Sequence, residues 1–284
     1  MTAIVNPGPW VDPERIDPEP WRTQDGIVKF LELPVRLPAM SQRAFHLYWQ
    51  KHHSANVMNI TAFAQFMRKY NSGHRYPETP PGLPAHYDAG TPFEGAAEVW
   101  VNSLGEVGDW LGNPLYEQLI RPDELRFISQ EGAVEILVGK EERLHEPALD
   151  WPENQRTKVY LLTRQARGAA YDDFHKAASR YGKTILAAEA LKRRLRKLVI
   201  THKLRDPIPD GMTLHDIDAV VELWFDTPQE IAPYFSEAVY RDQIAPIERE
   251  IFSGGIRAVV AKMRVVHDEF SFQPSTTQPL PFSW

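Results

Sequence analysis

The chain of 284 residues contains no cysteine. That absence excludes disulfides, thiolate nucleophiles, iron–sulfur clusters and cysteine-ligated zinc. Excess positive charge is lacking too. Lys and Arg number 32 against 38 Asp and Glu, a net charge of −6, so neither nucleic acid nor an anionic membrane is expected as a partner. No apolar run approaches the roughly 18 residues that a membrane-spanning helix needs. The first ten residues carry no apolar stretch of the secretory kind, and a cytoplasmic location is the expectation. No glycine-rich phosphate loop follows a strand, Gly254-Gly255 reads as a turn, and neither HExxH nor a two-histidine-one-carboxylate spacing occurs. No cofactor and no metal are therefore expected.

What is present is a globular composition, with 43% hydrophobic residues, and a proline-rich segment at each end. Residues 1–25 hold Pro7, Pro9, Pro13, Pro18 and Pro20 beside Trp10 and Trp21, and residues 269–284 end in PLPFSW. Proline blocks helix interiors and sheet centres, so both read as extended arms. Their aromatic residues suit contact with a surface, and a homodimer held through these arms is one expectation.

Between the arms lies an internal repeat. AEVWVNSLGEVGDWLGNPLYEQLIRPDELRFIS aligns without a gap on VELWFDTPQEIAPYFSEAVYRDQIAPIEREIFS. Glu98 meets Glu222, Trp100 meets Trp224, Tyr116 meets Tyr240 and Pro122 meets Pro246, all at an offset of 124. Earlier in each half, Lys29 faces Lys158 and Phe45-His46 faces Phe174-His175 at an offset of 129. The chain thus divides into a first module over 26–145, a linker over 146–157 and a second module over 158–268. Each reads as strand, helix, strand, strand, helix, strand. In the first module the expected elements are strands at 27–33, 64–70, 96–102 and 133–139 and a helix over 42–60 capped by Ser41. A second helix opens with a capping box from Ser103 and Glu106. The order βαββαβ is that of a ferredoxin-like unit. Strands with apolar residues on both faces need cover on both. The expected fold class is α+β, with two such modules fused into an intramolecular α+β barrel.

Phe45-His46-Leu47-Tyr48-Trp49, followed by His53, resembles the first-helix signature of the EthD family. The strand with Glu98 and Trp100 and the segment RPDELRFIS resemble that family's second half. The resemblance is good over roughly 27–145 and weaker over 157–268. It implies a dimeric α+β barrel holding a small aromatic or polyketide-like substrate, although this fold serves many chemistries.

Candidate chemistry centres on FHLYWQKHHSAN, residues 45–56. On a regular helix Phe45, Tyr48, His52 and Asn56 share one face, and His46, Trp49 and His53 the adjacent one. Periodicity does not choose between His52 and His53; the family spacing favours His53 as general acid/base, with Tyr48 as hydrogen-bond donor. Trp49, His46 and Asn56 are candidate substrate contacts. The long segment beginning at His74, Arg75 and Tyr76 is a candidate lid, and Arg75 and Arg36 are candidate anchors for a substrate carboxylate. The second module has Ala177, Ala178, Tyr181 and Gly182 where the first has Tyr48, Trp49, His52 and His53, so a single working site is expected. His175 and Lys183 remain for a different pocket there. The leading expectation is a cofactor-independent lyase of the decarboxylase type. A cyclase or isomerase, a cofactor-free monooxygenase and a non-catalytic binding protein are the alternatives.

Overall fold

The computed structural model describes residues 26–129, 135–146, 151–205 and 216–270. Both proline-rich arms, and with them the expected dimer contact, lie outside the described residues, save 269–270. Strands β1 (Val28–Leu33), β2 (Lys69–Arg75), β3 (Gly95–Val101) and β4 (Glu135–His145) come from the first half. β5 (Thr157–Arg164), β6 (Lys197–Lys203), β7 (Ala219–Phe225) and β8 (Gly255–Asp268) come from the second. All eight pair antiparallel in one closed ring, in the order β1-β3-β2-β8-β5-β7-β6-β4. Each half thus contributes four neighbouring strands in the order fourth, first, third, second. The halves join edge to edge through β2–β8 and β4–β6, so the barrel has no free edge.

Helices cover the outside. The first half has α1 (Gln42–Tyr48), α2 (Ser54–Asn59), α3 (Thr61–Ala64), α4 (Leu104–Leu111) and α5 (Arg121–Glu124). The second has α6 (Tyr171–Ala187), α7 (Glu189–Lys192), α8 (Ile231–Phe235) and α9 (Ala245–Ile251). Side chains alternate along each strand between these helices and the barrel interior. Val28, Phe30, Val99 and Val101 meet Phe63, Met67, Val107 and Trp110 under the first helical layer. Val159, Leu161, Val221 and Leu223 meet Phe174, Tyr181, Ile231 and Tyr234 under the second.

The interior is apolar at one level, where Leu31, Leu33, Leu137, Leu162 and Val220 meet, and ionic at another. Lys29 bonds Glu98, Glu141 and Glu222, and Lys158 bonds Glu222 and, at 2.6 Å, Glu98. Tyr160 donates to Glu98 at 3.0 Å and Thr201 to Glu222 at 3.0 Å. Each lysine also lies over a tryptophan of the neighbouring strand: Lys29 is 4.7 Å from the Trp100 ring centroid and Lys158 is 4.4 Å from that of Trp224. Burial disfavours the Lys29 ammonium, but the three carboxylates outweigh it and push its pKa up. Glu98 and Glu222 therefore bridge the two halves across the interior.

Three expectations need correction. Residues 64–70 were expected as a strand, yet α3 and a turn occupy most of that span, and β2 starts at Lys69. The reason is that Phe63 and Met67, four apart, are both fully buried on one face, which is helical spacing. The last strand of the first half runs on to His145 because its charged stretch serves both faces: Glu141 enters the interior ion network while Glu142 meets His202 outside it. The first helix is not one regular α-helix over 42–60, since a π-helical turn, Trp49–His53, interrupts it.

The segment expected as a lid over the first site instead crosses to the second half. Asp88 pairs with the start of β8, its N–H donating to the Ile256 carbonyl at 2.9 Å while its own carbonyl accepts from Ala258 at 2.8 Å. Gly82 has φ +97°, and a Cβ there would stand 2.4 Å from the Ala232 backbone, so only glycine permits this approach to α8.

Candidate active site

The π turn decides the geometry of the first helix. It places residues five apart on one face, where an α-helix aligns residues three or four apart. Its carbonyls find new donors: Ser54 Oγ donates to Trp49 O at 3.0 Å, and Arg264 of β8 donates to Gln50 O at 2.6 Å. A strand of the second half thus supports the turn on which the first-half site stands. Tyr48 and His53 consequently converge on one carboxylate, Asp123 of α5. Tyr48 Oη donates to Oδ1 at 2.5 Å, His53 Nδ1 lies 2.9 Å from Oδ2, and the Asn56 side chain also bonds this group. Asp123 itself is carried there because the chain after α5 pairs with the exit of β1. Leu37 N–H donates to Phe127 O at 2.9 Å and Ser129 N–H to Val35 O at 2.7 Å.

Burial works to raise the Asp123 carboxyl, but hydrogen bonds from His53, Tyr48 and Asn56 outweigh it and hold the group below the usual carboxylate range. An ionised Asp123 accepts from His53 Nδ1–H, which leaves the lone pair on Nε2. The ring rests on Phe127, with centroids 5.0 Å apart. Tyr48 is raised, first by burial and then by its bond to Asp123, so it is a donor and not an acid at neutral pH.

Two further carboxyls lie in the same half. Glu32, on the helix side of β1, is pushed up to about 8 by burial and by the nearby Glu124 charge, against the opposing effect of Arg121. Glu124 is also raised, chiefly by burial, and accepts from Tyr116 Oη at 2.9 Å. Burial thus works against ionising both carboxyls, and for Glu32 the neighbouring like charge adds to it.

The remaining sequence candidates fall elsewhere. His52 is exposed and lies against Tyr48, its ring centroid 5.3 Å away. Trp49 is buried in the core and donates to Tyr70 at 3.2 Å. His46 and His74 form a fully buried pair, Nδ1 to Nδ1 at 3.0 Å. Burial, then Arg36 and Arg75, lower His46 to about 3, so both rings are neutral; burial holds His74 well below its usual value as well. Arg36 donates to Glu94 at 2.7 Å and to the Met40 carbonyl at 2.6 Å. Arg75 donates to the carbonyls of Ala89, Thr91 and Phe93, fastening the segment that crosses to the second half, and Tyr76 bonds Thr157 at 2.8 Å. Neither arginine is thus placed as a carboxylate anchor. Among the described residues, no three histidine, aspartate or glutamate side chains gather in a metal-holding group.

Asp123, Glu32 and Glu124 were not singled out from sequence. A signal existed for two of them. Asp123 meets Ile247 across the repeat and Glu32 meets Leu161, so each is an acid where the other half is apolar, as His53 is a histidine where the other half has Gly182.

Residues 37–131 match the EthD domain. The resemblance read from the first-helix residues holds for this segment, which contains Tyr48, His53 and Asp123 but not Glu32. Solved structures share the fold over most of the chain. One is an anthrone oxidase-like protein, 10% identical, with a TM-score of 0.52, covering 89% of this chain and 98% of that one. Another is a provisionally assigned monooxygenase from Fusobacterium nucleatum subsp. nucleatum, 7% identical, with a TM-score of 0.51, covering 86% of this chain and 94% of that one. At such identities the likeness is one of fold. No curated protein sequence matches the chain. Among the described residues, no helix is long and apolar enough to cross a membrane.

Proposed function

We propose that the first half is a general-base enzyme acting on a small aromatic or polyketide-like substrate, with His53 taking a proton from an enolisable carbon. The observation that carries this reading is the Asp123 carboxylate, held ionised and bonded to His53 Nδ1, which fixes the tautomer that makes Nε2 basic. Asp123 acts on the substrate through His53, as the orienting acid of a triad does. Glu32, pushed up towards neutrality by burial and the nearby Glu124, supplies a group able to return a proton.

Decarboxylation, the leading expectation from sequence, rested on family analogy, and Arg36 and Arg75, the candidate carboxylate anchors, are engaged with Glu94 and with backbone carbonyls. Oxygenation without a resident cofactor takes its place. His53 removes a proton, the carbanion reduces dioxygen, one oxygen atom enters the carbon as a carbonyl, and the other leaves as water. The names borne by the two structural relatives agree with this reading. The fold reads as a tandem fusion of two EthD-like modules, since the strand order repeats in each half, as do the Lys29–Trp100 and Lys158–Trp224 contacts.

The test is oxygen uptake with anthrone-like substrates, measured alongside release of carbon dioxide. Wild type is expected to consume oxygen, with His53→Ala and Asp123→Asn each lowering turnover by about 10²–10⁴-fold. Carbon dioxide release without oxygen uptake would restore the lyase. Tight binding of such substrates with neither gas exchanged, unaffected by His53→Ala, would make this a binding protein.

A further inference from the structure

The second half has lost its counterparts of His53 and Asp123 but gained a histidine from the first. His86, on the segment that crosses over, places Nε2 at 2.9 Å from Glu248 Oε2. Glu248, the repeat partner of Glu124, is fully buried and accepts three further bonds, from Tyr87 at 2.8 Å, Tyr240 at 2.7 Å and Tyr181. Glu248 accepts from His86 Nε2–H, and in the imidazolium form the ring has a second donor, Nδ1–H, to offer a ligand. Only the rim of this cluster reaches solvent. The His86 side chain keeps 22% of its exposure and, with Arg249, Phe252, Ser253, Gly255 and Ile256, lines a cleft of about 330 Å³.

The lining divides by chemistry. Phe252 and Ile256 form a buried apolar floor, while Arg249 and Ser253 stand exposed at the rim beside His86. A compact apolar body on that floor would present an acidic group to the guanidinium, which matches carboxylate geometry. We infer that this cleft is a second small-molecule site, distinct from the one at His53, that takes a small aromatic carboxylate held by Arg249 and His86. It uses residues of both halves, because His86 comes from the crossing segment. The inference does not rest on His53 being catalytic.

Benzoate is the probe, titrated into the full chain by calorimetry and followed at the histidine ring protons by NMR. Saturable binding is expected, with the His86 ring signals moving. Arg249→Gln and His86→Asn should each weaken binding at least tenfold, whereas His53→Ala should leave it unchanged. Arg249 is exposed, so its replacement reports on the site without disturbing the Glu248 cluster. Absence of benzoate binding to wild type would overturn the inference. So would binding that is lost with His53→Ala but kept with Arg249→Gln; that result would leave the His53 reading intact.

Discussion

In both halves a Phe-His pair on the first helix sends its histidine to a second histidine at the sheet, His46 to His74 and His175 to His202, at 3.0 and 2.9 Å. One turn later the halves part. The first-half helix opens into the π turn that brings His53 to Asp123. The second-half helix α6 continues regularly over 17 residues. Gly182 stands where His53 would, and the space a side chain would need holds Leu144, whose Cδ1 would lie 2.2 Å from an added Cβ. Asp123 has become Ile247 and Glu32 has become Leu161, so the histidine, the carboxylate it bonds and the buried Glu32 all lack counterparts there. What survives in both halves is the Tyr–Glu bond of the second helical segment, Tyr116–Glu124 and Tyr240–Glu248. The difference teaches that these halves share what closes the barrel and differ in the polar side chains that the first helix gathers outside it.

That comparison can be broken at several places. The largest expected effect is in the shared interior. Glu98→Gln and Glu222→Gln each leave buried lysines short of a carboxylate, and each should cost about 3–5 kcal/mol of unfolding free energy in urea. Because the two glutamates occupy matching positions, the costs should agree within about 1 kcal/mol; a large inequality would show that the interior is not shared evenly.

Acid should act next, through the histidine pairs. All four rings are lowered by burial, His46 to about 3 and His175 to about 2, so the folded chain resists protonation that the unfolded chain accepts below about 6.5. Their contribution is complete above pH 6.5 and is lost as pH falls towards the folded values. Each ring gives a slope of about 1.4 kcal/mol per pH unit. His202 bonds Glu142, which opposes its lowering, whereas His74 faces His46 and Arg264, which add to it. His74→Asn should therefore flatten the slope between pH 6.5 and 4.5 more than His202→Asn does. Equal slopes would remove this distinction between the halves.

The smallest effect is expected at Gly182. Replacing a helical glycine by histidine gains only about 0.3 kcal/mol in propensity, whereas the ring must displace Leu144, and overpacking costs about 1–3 kcal/mol. Gly182→His should thus destabilise by about 1 kcal/mol, and adding Leu144→Ala should recover the loss in thermal melts. Stabilisation by Gly182→His alone would mean that the second half still has room for a site.

Much of the architecture was legible in the chain. The repeat offsets marked both halves, and the apolar runs and caps located most strands and helices, with Ser41 and Ser103 each accepting the expected bond. His53 was singled out through family spacing, with Tyr48 as a hydrogen-bond donor beside it. Their common partner was not, because Asp123 lies 70 residues from His53 and only the pairing of 35–37 with 127–129 brings it near. The crossing segment was misread for a similar reason: its length suggested a lid, and nothing local says which half it covers.

The sequence by itself determined the two-part strand and helix order and the absence of thiol chemistry, since both follow from local pattern and composition. Only the tertiary structure decided that Lys29 and Lys158 face Glu98 and Glu222 inside a closed barrel, that a π turn aligns Tyr48 with His53, and that His86 serves the second half. Those outcomes depend on contacts between segments far apart in the chain, where a buried charge must find its partner wherever the fold places one.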